Sequence, residues 1–553
     1  MYKAIDLFAG AGGLSLGFEL AGVDVVAAVE YCPKAVKTYS HNFPTHLTYC
    51  DDITKVTTER VRKDLQEIGI DKSDIDLVIG GPPCPGFSNI GRSKIISLLR
   101  DKVWSFDDQP PDELKHQFIQ DPRNQLFLEF VRFVKDFEPK GFVMENVPGM
   151  LTSKRKDGMA ITKLIEDKFH EIGYSCHKKV LNASHYGVPQ ARNRVIFIGW
   201  RKDLPEYEFS HPEPMEEELW TSLDAISDLP FMSQEGGVSK SQSNKSKNKY
   251  QDLMRHGAFE NAQRIDVRMG KVPTAKDESS LSCHRGRWVN PRDRAIFPKL
   301  QQPINKKRTT YDLIEPAELE FPDGWKWDAE NELVTNGKRG KAKKTYKWYN
   351  RKSFKDKMRR IPWHKPSPTL VAHMATDTYM YIHPEPNTHR TITPQEAARI
   401  QSFPDGFDFS EVSFTSQYRQ IGNAVPPLMG KAIADEIVSS WNLAEILNPS
   451  NEDSKSDDID DSQEIDPEIA EIIQSIFEPD ELEPNNDEID EMLQETKNVD
   501  SISEEAIDAM LEEIEDTPTV EKISEEDPVF ETTTGPVRII TAASLFDGHD
   551  AAI

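Results

Sequence analysis

Lys3-Ala4-Ile5-Asp6-Leu7-Phe8-Ala9-Gly10-Ala11-Gly12-Gly13-Leu14-Ser15 is the stretch on which the fold turns. An apolar run of strand length ends in a glycine turn and passes directly into a helical pattern, with Leu14, Gly17, Phe18 and Ala21 at i, i+3, i+4 and i+7. A glycine turn at the carboxyl end of a strand lets backbone approach a ligand, and open α/β sheets bind their ligands at that edge. The spacing is not GxGxxG, because Ser15 stands where the third glycine would be. The next apolar run, residues 23–30, ends in Glu30, 18 residues after Gly12, where a carboxylate can accept hydrogen bonds from ribose hydroxyls. A nucleoside-type cofactor is expected at this edge, and the turn alone does not say which.

Outward from that stretch, short apolar runs alternate with helical patterns as far as residue 200, which predicts an α/β fold with a parallel sheet flanked by helices. Expected strands are 3–8, 23–30, 76–80, 141–146 and 194–200, and residues 122–138 read as a helix opening at Pro122. The alternation stops near residue 205. From there to 360 the chain is irregular and basic, with 30 Lys and Arg against 15 Asp and Glu in residues 240–360, a candidate polyanion-binding surface. Regular patterning returns at 393–401 and 427–448. The expected organisation is a first domain over 1–204, a smaller domain over 205–360, a return to the first domain over 361–450, and a tail from 451 to 553.

Charge separates the tail from the rest. Residues 451–553 hold 34 acidic and 4 basic residues, whereas the other 450 carry a net charge of +3, so the formal charge of −27 describes the tail. Its acidity and few aromatics predict disorder. Within it Ile489-Asp490-Glu491-Met492-Leu493 recurs as Ile507-Asp508-Ala509-Met510-Leu511, which reads as a solvating tail or as two short helices for a protein partner. The five cysteines form no CxxC pair and are odd in number, which argues against a disulfide framework and a metal site. The chain has no apolar run near 18 residues and no signal-like start, so a cytoplasmic, nucleoid-associated protein without a membrane partner is expected.

Four further motifs carry chemistry. The strand at 76–80 runs into Gly81-Pro82-Pro83-Cys84-Pro85-Gly86-Phe87-Ser88, a stiff turn that sets Cys84 at the mouth of the sheet. A cysteine there is a nucleophile if its thiolate is stabilised, though a lone cysteine is more often a small buried apolar group. Glu145-Asn146-Val147-Pro148-Gly149 brings a carboxylate to the same edge. Gln190-Ala191-Arg192-Asn193-Arg194 leads into the next strand with its alternate arginines on one side, a pattern that structural ion pairs also produce. Gly422-Asn423-Ala424-Val425-Pro426-Pro427 lies in the return segment.

In this order the five motifs resemble the DNA (cytosine-5) methyltransferase family over residues 1–200 and 362–448. The resemblance implies a Rossmann-like, S-adenosylmethionine-dependent methyltransferase sheet with helices on both faces, and a target-recognition domain over 205–360. It implies S-adenosylmethionine as cofactor, with Phe8, Gly10, Gly13, Leu14, Glu30, Asp52, Ile53, Leu126, Asn423 and Val425 lining its pocket. Glu30 would hold the ribose and Asp52 the adenine edge. It further implies that Cys84 attacks C6 of a flipped-out cytosine in double-stranded DNA, that Glu145 holds a proton at N3, and that Arg192 and Arg194 orient the base. The family commonly has Gln where this chain has Pro85, which puts the DNA contacts of the following loop in doubt.

A restriction-modification context follows from the same resemblance, with a cognate restriction endonuclease as an expected partner. A tRNA cytosine-5 methyltransferase shares the motif order, and the long basic variable region favours DNA. A catalytically silent DNA-binding homologue conflicts with the presence of Cys84, Glu145, Arg192 and Arg194 together. The missing third glycine and the Cys84 and Glu145 loops disfavour a nicotinamide oxidoreductase. The last residues, 537–553, are similar to the opening of a cobalamin-dependent acyl-CoA mutase small domain, too short a match to imply an activity.

Overall fold

The computed structural model describes residues 1–83, 126–153, 158–230, 246–256, 283–300, 315–322, 324–329, 333–335, 345–349, 358–385 and 388–447. Its main sheet contains β1 (Lys3–Leu7), β2 (Asp24–Glu30), β3 (Leu47–Cys50), β4 (Ile75–Gly80), β5 (Gly141–Asn146) and β6 (Tyr174–Asn182). After the two-residue β7 (Gln190–Ala191), β8 (Asn193–Arg201) completes it. The spatial order is β3-β2-β1-β4-β5-β8-β6, with β3 through β5 mutually parallel and β8 antiparallel to both of its neighbours. The expected all-parallel sheet is therefore corrected at this end. Only the short turn Ala183–Tyr186 and β7 join β6 to β8, and without a crossover helix two neighbouring strands pair antiparallel.

Both faces of the sheet are covered, which is why its strands read as continuous apolar runs. On one face Ala4, Leu77, Ile79, Val143, Ile196 and Ile198 join α1 (Gly13–Leu20) and α2 (Pro33–Asn42) in one apolar cluster. On the other, Ile5, Leu7, Val78, Phe142 and Phe197 pack against α3 (Thr58–Glu67), α4 (Phe127–Phe137) and α5 (Ile161–Glu171). Residues 122–125, which include the expected helix start, lie outside the described residues, as do Cys84 and the whole segment from 448 to 553.

Beyond β8 come α6 (Ser222–Ile226), α7 (Lys249–His256) and α8 (Pro291–Ile296), then a small antiparallel sheet of β9 (Lys326–Asp328), β10 (Leu333–Thr335) and β11 (Thr345–Lys347). Phe209, Ala225, Ile226, Tyr250 and Met254 belong to the large cluster on the α1 face. Val289, Ile296, Phe297, Leu300, Leu319, Met358 and Ile382 form a separate small core.

The return segment holds β12 (Ser367–Pro368), α9 (Pro394–Ile400), α10 (Phe414–Asn423) and α11 (Pro427–Leu447). Thr393 caps α9 through a reciprocal box with Glu396, so the break before it is encoded locally. In α11, Met429, Ile433, Ile437 and Trp441 lie in the same cluster as Leu14 and Phe18 of α1, and the fully buried Trp441 donates to the Tyr207 carbonyl at 2.8 Å. Arg399 ties the segment to α6 through ion pairs with Asp228 at 3.2 Å and Asp405 at 2.5 Å, while Asp228 also pairs with Arg255 of α7. No described helix is long and apolar enough to cross a membrane.

Candidate active site

β1 stops at Leu7 because Phe8 takes a φ of 62°, in the left-handed region, and turns the chain out of the sheet. Gly10 follows at φ 57° with open space where a Cβ would lie. Gly13 serves the opposite purpose. A Cβ there would lie 2.3 Å from the Val425 carbonyl oxygen, so this glycine admits the return segment against the start of α1. The glycines thus seat both a cleft and the piece of distant chain that closes it.

Glu30, at the end of β2, is 4% exposed and clasps the turn: its carboxylate accepts from the Gly10 N–H at 2.9 Å and the Cys32 N–H at 2.7 Å. Burial pushes its pKa up to about 7, against the pull of those backbone donors. Asp6, fully buried at the end of β1, is also raised to about 7, chiefly by burial, with the Glu30 charge adding to the shift and the Ser15 hydroxyl opposing it. Ser15 Oγ donates to Asp6 at 2.5 Å and lies 2.9 Å from the Tyr39 hydroxyl, which is in turn 3.0 Å from His46 Nδ1.

These groups border an open cleft of about 630 Å³, within the range of small-molecule sites. Phe8, Gly10, Gly13, Leu14, Glu30, Glu145, Asn423 and Val425 line it, and Pro83 brings the start of the Cys84 loop to its edge. Asn146 Nδ2 fixes that loop by donating to the Pro82 carbonyl at 3.0 Å. Glu145 is buried and its carboxylate lies 2.7 Å from Arg194 Nε. Arg192, 1% exposed, donates to the carbonyls of Leu370 at 2.8 Å and Gly422 at 3.2 Å, and so holds the return segment.

Asp52, Ile53 and Leu126 are not on the lining. Asp52 accepts from the backbone and hydroxyl of Thr54 in the turn after β3, while Ile53 is buried and its carbonyl accepts from Arg132 of α4 at 2.9 Å. Leu126 precedes α4 and packs on the apolar cluster beneath. Three residues at the site were not singled out by the sequence reading: Asp6, Asn146 and Gln420. The first two stand inside motifs already quoted, and Gln420 lies one helical turn before Asn423, a spacing that places both on one helix face.

The cleft's chemistry suits S-adenosylmethionine. Its described lining has two carboxylates at its inner end, Asp6 and Glu30, and no Lys or Arg, which favours a cationic, hydroxyl-bearing ligand. Asp6 Oδ1 is buried without a hydrogen-bond partner.

Comparison with known proteins agrees with this chemistry. Residues 2–439 match the model of the C-5 cytosine-specific DNA methylase family. The type II methyltransferase M.DdeI of Desulfomicrobium norvegicum is 36% identical over 458 residues, covering 81% of this chain and 91% of that protein. The type II methyltransferase M.AgeI of Thalassovita gelatinovora is 32% identical, covering 79% and 99%. A solved prophage-encoded E. coli protein, described as a DNA modification methyltransferase, shares the fold with a TM-score of 0.53 at 24% identity, over 80% of this chain and all of that one. The chain belongs to the C-5 cytosine-specific DNA methylases and is a DNA (cytosine-5-)-methyltransferase with S-adenosylmethionine as its cofactor.

Proposed function

We propose that the enzyme methylates C5 of a flipped-out cytosine within a short sequence of double-stranded DNA, through a covalent bond between Cys84 and C6. The observation that supports this most is the meeting of Pro83, next to Cys84, and Glu145 on one cleft with Gly10 and Glu30. The cofactor residues and the base-handling residues thereby face a common space. A cytosine inside a duplex stack cannot enter such a cleft, so the target nucleotide swings out first.

Bound S-adenosylmethionine supplies an electrophilic methyl group. The Cys84 thiolate adds to C6 while Glu145 holds a proton at N3, which turns the ring into an enamine nucleophilic at C5. After C5 is methylated, loss of its proton to a base expels Cys84 and restores the aromatic ring. Arg194 orients the Glu145 carboxylate, and Arg192 fixes the return segment beside it, so both arginines act on the base as positioning residues. Phe8, Gly10, Gly13, Leu14, Glu30, Asn423 and Val425 hold the cofactor, and Asp52, Ile53 and Leu126 shape its adenine end.

Residues 205–360 act as the target-recognition domain, with the small core between Val289 and Met358 as its compact part. Residues 1–204 and 361–450 form the catalytic domain, and 451–553 an acidic tail whose two repeated segments offer a site to a protein partner. A cognate restriction endonuclease completes the type II context, and the enzyme works at the nucleoid. Expression in a host without cytosine methylation, followed by sequencing for 5-methylcytosine, tests the whole reading. Cys84→Ser is expected to lose at least about a thousandfold in rate. Wild-type protein, but not this variant, should form a stable adduct with DNA containing 5-fluorocytosine, because fluorine does not leave as a proton does. An adduct that persists in the variant would overturn the nucleophile assignment.

A further inference from the structure

Gln420, on the face of α10 that also carries Asn423, lines the cleft and is 6% exposed. Its Nε2 donates to the Lys34 carbonyl of α2 at 2.8 Å. A carbonyl can only accept, so this bond fixes which end of the carboxamide is which and leaves Oε1 as the remaining group. Oε1 is buried without a hydrogen-bond partner, and so is Asn423 Oδ1 one helical turn further on. Two buried amide acceptors on one helix face, both on the lining of one cleft, form a site for a ligand that donates, because leaving them empty wastes their desolvation.

The surroundings select the donor. The Val425 carbonyl, two residues beyond Asn423, abuts the first residue of α1, so the amide oxygens lie in the chain segment that packs against that helix start. A helix N-terminus offers unpaired N–H groups and a positive end, which suit a carboxylate. A carboxylate toward the helix and a cation toward amide oxygens is the arrangement an α-amino acid requires. We propose that Gln420 Oε1, with Asn423 Oδ1, accepts hydrogen bonds from the α-ammonium of the cofactor's methionyl end, and that Gln420 is thus a cofactor-positioning residue. The proposal rests on the reading of this cleft as the S-adenosylmethionine site.

Calorimetry on full-length protein tests it with three ligands: S-adenosylmethionine, S-adenosylhomocysteine and 5′-methylthioadenosine, which lacks the amino-acid end. Gln420→Leu removes the acceptor at similar volume. Affinity for the first two ligands should fall by about tenfold or more, as for loss of a hydrogen bond to a charged group, while 5′-methylthioadenosine binds as to wild type. Unchanged affinity for S-adenosylmethionine overturns the proposal, and an equal loss for all three ligands overturns the assignment to the ammonium. Glu30→Ala, measured beside it, separates the two layers of the argument. If that variant also binds all three ligands normally, the reading of the cleft itself fails, whereas a loss there with none in Gln420→Leu removes only the role of Gln420.

Discussion

Asp6 and Glu30 stand within one small volume, and burial raises both carboxyls from their ordinary values, 3.8 and 4.5, to about 7. An acid whose folded pKa lies above its unfolded pKa stabilises the fold fully below the unfolded value, and this contribution is lost as pH rises through the folded one. The ligand-free protein should therefore lose stability from these two groups between about pH 4 and about pH 7. A cationic ligand reverses the preference, because it favours the ionised carboxyls. S-adenosylmethionine affinity should rise with pH across neutrality, and binding near pH 7 should release protons. Calorimetry in buffers of different ionisation enthalpy measures that release, and a heat independent of buffer would contradict it. Glu145, held by Arg194, has a different task. Glu145→Gln should leave cofactor affinity within about twofold and lower the methylation rate by roughly a hundredfold or more, the usual range for removal of a general acid. Comparable damage to cofactor binding would count against that separation. The sequence made Glu30 and Glu145 visible because each ends an apolar run. Gln420 was not visible, since its partner Lys34 lies 386 positions away.

Among the elements, the five strands expected from apolar runs are the five interior strands of the sheet, and the two that escaped notice, β3 and β6, are its edges. An edge strand has one neighbour and a wetter surface, so it needs no apolar run. β6 shows this in Tyr174–Asn182, where His177, Lys178 and Lys179 are exposed in mid-strand. The antiparallel end of the sheet was hidden for the same reason, because its direction is set by the short link from an unrecognised strand. Charge placement inside the fold was equally illegible. Asp228 reads as one acid among many, yet it is buried between Arg255 and Arg399, and joins α6, α7 and α9. Removing one partner from such a cluster strands the others in a dry interior. Asp228→Ala should destabilise the fold by about 3–5 kcal/mol, measured as a urea midpoint shift at constant slope. A change under about 1 kcal/mol would show that water reaches these arginines.

For the whole molecule, every motif named above precedes residue 450, while a net charge of −30 follows it. A chain ending at Ser450 should fold and methylate the same DNA sequence. Its non-specific DNA affinity at low salt should increase, since a tethered polyanion competes with DNA for basic surface and salt weakens that competition. Filter binding at two salt concentrations checks this, and equal affinities at low salt would leave partner binding as the account of the tail. The cleft itself spans nearly all of the remaining chain, from Asp6 to Val425. α11 comes last and packs along α1, the first helix, with Gly17 so close that a Cβ there would sit 2.5 Å from the Pro427 carbonyl. This ordering has a consequence during synthesis. A ribosome that has released 400 residues has made every strand of the main sheet but no part of α10 or α11. The nascent enzyme holds its first helix uncovered through nearly the whole of translation, exposed to chaperones, and it becomes able to modify DNA only in the last moments before release.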